Sequence, residues 1–402
     1  MTPTRAPRRR LAGALLAGVA LVVLGLAALA VVLIALGALV PGLGPLSGYA
    51  TITVPGYGPT LVVVGLVVVL LALVVRLRLR RAGTVVAVLG GVGTVALGVV
   101  VGLVVSAAGQ AGGSVDLVRA VDPHGGGSVP DGYPQYGTGP DGAPLHAAVY
   151  RPGGARGPVP VFVYVHGGGW VGGSELDNSA DMRWFADQGR LVVSVGYTLA
   201  TRDRPTWDLA GAQVACALAQ VAALAPGQGG DPSRLVLSGD SAGGQLAVSV
   251  AYHAASGTQA SACGGRVPVP RGVLVQYPAV DPAGAWEEGR VPGDPGNAAR
   301  GFQEAYTGGT PEQVPDRYTA VAGVPAITPA APPTLVLAPT DDELVPPDGV
   351  AAFVDAARAT GVDATLVRIP YANHAYDIGG VSSLGNQVRR SVSQAWLGAR
   401  GW

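Results

Sequence analysis

Three long runs without a charged residue open the chain, and past residue 110 the pattern changes to short apolar runs punctuated by polar and turn residues. Residues 11–40 follow Arg8-Arg9-Arg10, and 59–75 and 83–107 are the second and third runs. A helix needs about 20 apolar residues to cross a bilayer core. The second run reaches that length if Pro59 and Thr60 are counted and the arginines behind it snorkel to the interface. Neither polar alternation nor turn chemistry interrupts these runs, which argues against buried strands. A cleaved signal peptide is the competing reading of the first run, but its apolar region spans only about 7–15 residues. The pattern predicts an anchor over 1–109 made of three transmembrane helices.

Residues 110–142 are dense in Gly, Pro, Ser and Asp, including Gly125-Gly126-Gly127-Ser128, and read as a linker. Beyond it, over 143–402, strand-like runs fall at 146–151, 159–165, 191–197, 234–238, 272–277, 334–338 and 365–369. Helical patterns occupy 208–224, 243–254, 349–359 and 388–397. Strands interleaved with helices predict an α/β domain with a mostly parallel sheet covered on both faces. In such sheets the functional loops lie at the carboxyl ends of the strands. The Gly- and Pro-rich stretch 283–332, with Trp286, Phe302 and Tyr306, predicts a partial cap over a pocket.

Charge sharpens the division. The chain has 402 residues and a formal net charge of zero. Its first 107 residues carry eight arginines (Arg5, Arg8, Arg9, Arg10, Arg76, Arg78, Arg80, Arg81) and no Asp or Glu, so +8 there balances −8 in the remainder. The stretch 41–59 is uncharged, so the positive-inside rule puts the N-terminus and the 76–81 loop in the cytoplasm. Three crossings then leave everything after about residue 110 outside. No acidic residue, His or Lys lies within the spans, so they suggest anchoring and not ion transport. Gly98-x-x-x-Gly102 in the third span is a weak helix-approach motif. All 26 basic residues are Arg, a bias with the look of a GC-rich genome that points to no nucleic-acid partner. Cys216 and Cys263 both fall in the outer part, where a disulfide persists, although sequence alone leaves bridge and buried thiols open.

The candidate chemistry sits at two glycine-rich junctions. Gly239-Asp240-Ser241-Ala242-Gly243 follows a strand-like run and opens a helical one, the setting that thrusts a serine hydroxyl out of a sharp strand-to-helix turn. His166-Gly167-Gly168-Gly169-Trp170 follows another strand-like run, and bare glycine amides there suit a developing oxyanion. A base is then needed. His124 lies in the linker, His146 in the first strand, His166 in the glycine loop and His253 about three turns along the helix after Ser241. His374, in a loop between the last strand and the last helix, is the histidine placed to reach Ser241. The orienting carboxylate belongs after the strand at 334–338, where Asp341, Asp342 and Glu343 compete; Asp342 is the choice and Asp341 the second. The order Ser, Asp, His is the one this architecture uses.

His166-Gly-Gly-Gly-Trp170 with Gly239-Asp-Ser-Ala-Gly-Gly244 resembles the α/β-hydrolase superfamily, and within it the bacterial hormone-sensitive-lipase-like esterases. The spacing of His166 and Ser241 is similar, as is the Val195-Gly-Tyr-Thr-Leu-Ala200 segment, with Asp208 matching a carboxylate that helps organise it. Asp342, three residues before Val345-Pro346, matches the family's D-x-x-V-P acid; Pro339 stands where these proteins commonly have Gly. The resemblance covers about 144–402 and not the three spans. It implies an α/β-hydrolase fold, a Ser241, His374 and Asp342 triad, and oxyanion donors at the N–H groups of Gly168, Gly169 and Ala242.

The implied chemistry is acyl transfer through an acyl-enzyme. No His, Cys or Asp cluster has ligand spacing, so no metal or other cofactor is expected. The expectation is a membrane-anchored, outward-facing serine carboxylesterase or lipase-like enzyme for short or medium acyl esters, with small-molecule or lipid ester substrates. An amidase or peptidase on the same triad and a catalytically silent membrane-bound interaction module are the alternatives. Trp170 is a candidate for lining the acyl side of the pocket, or for core.

Overall fold

The computed structural model describes residues 6–154, 156–294 and 296–402, and the chain divides into two compact units. Arg5 lies outside the described residues, as do the side chains of Arg8, Arg9 and Arg10. One unit comprises the chain up to Gly109 with Ser114–His124 and Pro370–Val388; the other holds Gln110–Gly113, Gly125–Ile369 and Arg389–Trp402.

The first unit is built on α1 (Ala6–Leu39), α2 (Pro45–Arg76) and α3 (Arg80–Gln110), followed by the single turn α4 (Leu117–Ala120). All three long helices are apolar and long enough to cross a membrane. The three helices fall on the apolar runs, and α2 departs furthest from its run, starting at Pro45 and not at residue 59. Pro55 and Pro59 both lie inside it. Ala50 and Val54 of α2 pack with Val31, Ala35 and Ala38 of α1 and Leu97 and Val100 of α3, and that packing overrides the breaker signal of its prolines and glycines. Helix contact is close where residues are small: a Cβ on Gly65 would meet Thr94 Oγ1 at 2.1 Å. By contrast, a side chain at Gly98 or Gly102 would meet nothing within 4 Å, so the G-x-x-x-G face is not used between these helices. Outward-facing Leu15, Leu16, Val22, Leu70, Val92 and Val95 leave a broad apolar surface, which in water would be a liability.

In the second unit β1 (Gln135–Thr138) and β2 (Pro144–Tyr150) precede β3 (Val159–Val165), α5 (Ser179–Asp187) and β4 (Leu191–Val195). Then come α6 (Ala210–Leu224), β5 (Gly230–Asp240), α7 (Ser241–Ser256) and β6 (Gly272–Gln276). The cap stretch supplies α8 (Pro282–Glu288), α9 (Ala298–Thr307) and α10 (Pro315–Val321), and β7 (Thr334–Pro339), α11 (Pro347–Ala359), β8 (Ala364–Ile369) and α12 (Leu384–Gly398) complete the chain. The expected strands and helices all form. The elements of this unit that were not foreseen are β1, which lies in the stretch read as linker, the helix α5 and the three short cap helices; the antiparallel start, with β1 pairing β2 and β2 pairing β4, was not foreseen either.

The eight-stranded sheet runs β1-β2-β4-β3-β5-β6-β7-β8, parallel from β4 onward. Alternation sorts its residues: Val161, Val163 and Val165 of β3 join Val214 and Leu218 of α6, Leu246 of α7 and Phe353 of α11 in the main core. Phe162, on the opposite face, stacks on Phe185 of α5 at 4.7 Å. A fourth apolar stretch of membrane-spanning length, Ala210–Gln228, is α6 and the turn after it, whose buried face belongs to this core. Cys216 of α6 and Cys263 are joined by a disulfide across 47 positions, which resolves the alternative left open by the sequence.

Candidate active site

Ser241 stands where β5 ends and α7 begins, with φ 52°, a left-handed backbone that a non-glycine residue adopts only under local constraint. The constraint is visible in its glycines. A Cβ on Gly239 would lie 2.4 Å from the Gly243 carbonyl, and one on Gly243 would lie 2.2 Å from the Val165 carbonyl and 2.3 Å from that of His166. The turn is therefore wedged against the end of β3, and only the G-x-S-x-G pattern fits. Asp240 accepts a hydrogen bond from Tyr164 Oη, and Tyr164 Oη also accepts one from Asn178 Nδ2. Ala242 is in the first turn of α7, where backbone N–H groups have no intrahelical acceptor.

The glycine loop passes beside this turn: a Cβ on Gly167 would sit 3.3 Å from that of Ser241. Gly168 and Gly169 have φ 105° and 58°. The Gly168 carbonyl is turned inward to accept from Val171 and Gly172 N–H at 3.1 and 3.0 Å, so the peptide is oriented with its N–H side away from that hydrogen-bonded turn. Among the described residues neither the Gly168 nor the Gly169 N–H is donated to another backbone carbonyl. His166 fixes the loop from below. Its ring is buried, lies 2.8 Å from the Gly167 carbonyl through Nδ1 and stacks on Tyr197 at 4.4 Å. Burial pushes its pKa below 6.5, so the ring stays neutral. Tyr197 Oη donates to the His166 carbonyl at 3.1 Å.

Asp342 follows β7 and is buried. Its Oδ1 accepts from the N–H groups of Leu344 and Val345 at 3.0 and 2.8 Å. Asp341 is half-exposed and is held by the Thr340 hydroxyl at 2.6 Å. Burial, helped by the neighbouring Asp342 charge, raises the Glu343 pKa. His374 lies in the turn after β8, partly exposed, with positive φ of 56° at both Tyr371 and Ala375 around it. Its backbone N–H donates to Asn373 Oδ1 at 2.7 Å. Ser241, Ala242, Gly168, Gly169 and Asp342 thus belong to the sheet unit, while His374 belongs to the segment Pro370–Val388 of the helical unit.

Several residues around the glycine loop carry no local signature. Gln213 Oε1 accepts from the Thr198 N–H and its Nε2 donates to Thr198 Oγ1, both at 2.8 Å. Asp208, expected to organise this segment, is exposed. Gln245 Oε1 accepts from Trp170 Nε1 at 3.1 Å. Trp170 itself is core, fully buried and stacked on Tyr306 of α9 at 4.3 Å. The aromatic residue over the glycine loop is instead Phe302, also on α9: a Cβ on Gly169 would touch its ring at 2.8 Å.

A family model described as the alpha/beta hydrolase fold matches residues 162–378, more than half of the chain. The chain belongs to that family. The match starts within β3 and ends just past His374, so this α/β hydrolase carries its family region without α1, α2 or α3. Among curated proteins it is similar to Esterase LipC of Mycobacterium tuberculosis, 27% identical over 256 residues, covering 59% of this chain and 60% of LipC. Carboxylesterase NlhH of the same species is 38% identical over 104 residues, covering 26% of this chain and 32% of NlhH. These matches therefore span less than two thirds of either relative. Among solved structures, Thermogutta terrifontis esterase 2 phosphonylated by sarin aligns with a TM-score of 0.57 at 22% identity, over 68% of this chain and 96% of that one. That likeness establishes the shared fold.

Proposed function

We propose that this protein is a membrane-tethered serine ester hydrolase whose catalytic part faces out of the cytoplasm. The observation that carries the reading is Ser241, held at φ 52° between β5 and α7 with the Gly168–Gly169 turn alongside. Parallel strands bring the ends of β5, β7 and β8 to one edge of the sheet. Asp342 follows β7 by three residues and His374 follows β8 by five, close enough for the chain to return over that edge. His374 takes the Ser241 proton as the oxygen attacks an ester carbonyl. Asp342 accepts the other imidazole N–H and stabilises the imidazolium. The oxyanion rests on the N–H groups of Gly168, Gly169 and Ala242, each donor supporting on the order of 10²–10³ in rate. The imidazolium then protonates the departing alkoxide, and water, deprotonated by the same imidazole, releases the acid from Ser241. The names of LipC and NlhH, an esterase and a carboxylesterase, favour esters over amides as substrates.

Anchoring follows from α1, α2 and α3, which are membrane-spanning in length and composition, and orientation from the arginines at 76–81. The Cys216–Cys263 disulfide suits an oxidising compartment. The test is the full chain in detergent against p-nitrophenyl esters of rising acyl length and against p-nitroanilides. Ester turnover falling off at long chains and lost in Ser241→Ala is expected. Faster anilide cleavage would make it an amidase, and no turnover by folded protein would make it a silent module.

A further inference from the structure

The segment that carries His374 is seated on helix α2, and the seat is made by a proline. In an α-helix the Thr51 carbonyl would accept the N–H of the residue four positions on, which is Pro55 and has none. That carbonyl instead accepts the backbone N–H of Asn373 at 3.1 Å. The side chains of the same two residues close a second link, Asn373 Nδ2 donating to Thr51 Oγ1 at 3.2 Å. Thr51 Oγ1 is aimed for this by donating back along its own helix to the Ser47 and Gly48 carbonyls at 2.9 and 3.1 Å. Asn373 then uses its remaining amide oxygen to accept the His374 N–H at 2.7 Å. Thr51 and Asn373 are both almost fully buried, where such bonds are not exchanged for water.

The rest of the segment continues the contact. A Cβ on Gly385 would lie 3.0 Å from Pro55 Cβ, and one on Gly379 would lie 3.0 Å from Gly56 Cα. Tyr371 packs on the cluster formed by Ala50, Val54 and Val31. The positive φ values of Tyr371 and Ala375 show a backbone bent to keep this fit.

We propose that Thr51 and the carbonyl unmasked by Pro55 are a docking site for Asn373 that holds the His374 imidazole in its working position, making α2 a positioning element of the reaction and not only an anchor. This rests on His374 being the base, as proposed above. Counting about 20 residues, or about 30 Å of hydrocarbon, back from Arg76 places Gly56 at the outer boundary of the membrane. Thr51 then stands above it on the part of α2 that overshoots the bilayer. The helix thus couples the base to a fixed depth at the outer surface.

Pro55→Ala gives the decisive test, in full-length protein in detergent or lipid nanodiscs. Alanine restores the N–H that competes with Asn373 for the Thr51 carbonyl, so the helix gains a hydrogen bond while the loop loses one. The expected result is a melting temperature equal to or above the parent's, with kcat lower by roughly tenfold to a hundredfold, the range that small misplacement of a catalytic group produces, and KM within about twofold. Thr51→Val, which removes the hydroxyl at constant shape, lowers kcat in the same selective way, and Thr51→Ser restores it. Parental kcat in both Pro55→Ala and Thr51→Val, beside an inactive His374→Ala, overturns the docking role while leaving the triad intact. Full activity in His374→Ala instead refutes the base assignment, and this proposal with it.

Discussion

Gly243→Ala tests the geometry of the Ser241 turn with the smallest possible perturbation, one methyl group. That methyl would lie 2.2 Å from the Val165 carbonyl oxygen and 2.3 Å from that of His166, whereas real Cβ atoms essentially never come within 3.0 Å of such a neighbour. Backbone on one side or the other must therefore move by about 0.8 Å, and neither side is a flexible side chain. One side is the end of a central strand and the root of the glycine loop; the other is the first turn of α7. Overpacking of this kind costs about 1–3 kcal/mol of stability. Displacement approaching 1 Å between Ser241 and the glycine loop lowers rate on the order of a hundredfold, equivalent to about 2.7 kcal/mol of transition-state stabilisation. The assay is p-nitrophenyl ester turnover, with melting temperature measured alongside. Gly211→Ala in α6, where a Cβ meets nothing within 4 Å, serves as control, leaving turnover unchanged with a melting temperature equal to or above the parent's. A Gly243→Ala protein with parental kcat would refute the idea that this contact sets the position of Ser241.

Replacing Cys216 by Ser opens a loop of 47 positions and is expected to remove about 4 kcal/mol by loop entropy, read as a clear fall in melting temperature that reductant reproduces in the parent but not in the variant. His166 has its pKa lowered below 6.5 by burial. The unfolded chain therefore binds the proton at a higher pH than the folded one, and stability declines as pH falls below about 6.5. His166→Gln should flatten the melting-temperature curve between pH 7 and 5.5, and parallel curves would contradict this. Phe302 covers Gly169, so Phe302→Ala should raise KM about tenfold for short acyl esters through loss of one apolar wall worth about 1–3 kcal/mol, with kcat changed less; a purely kcat effect would remove it from the pocket.

Local patterns carried the sheet and both glycine junctions. The period of apolar residues located the ends of the expected strands to within four residues, and glycines at 239 and 243 are legible because their Cβ-free space is a local demand. Long-range partners were not. Gln213 and Gln245 hold Thr198 and Trp170 through side-chain bonds that no spacing rule announces. The start of α2 was missed because the stretch before residue 59 is broken by Ser47, Thr51, Thr53 and glycines and carries no apolar run, while the carbonyl that Pro55 exposes is satisfied by Asn373, 322 positions away. β1 hid in a Gly- and Pro-rich stretch since an edge strand draws its stability from pairing with β2 and not from its own propensity. The cap helices are seven to ten residues long, too short for periodicity to separate from loop.

The proposed chemistry depends on Ser241 being an activated nucleophile. Intact-mass and peptide mapping after treatment with a fluorophosphonate tests it directly. One adduct per chain is expected, on Ser241, absent from a folded Ser241→Ala protein that also hydrolyses no ester. An adduct on another residue, or ester hydrolysis that survives Ser241→Ala, would contradict it.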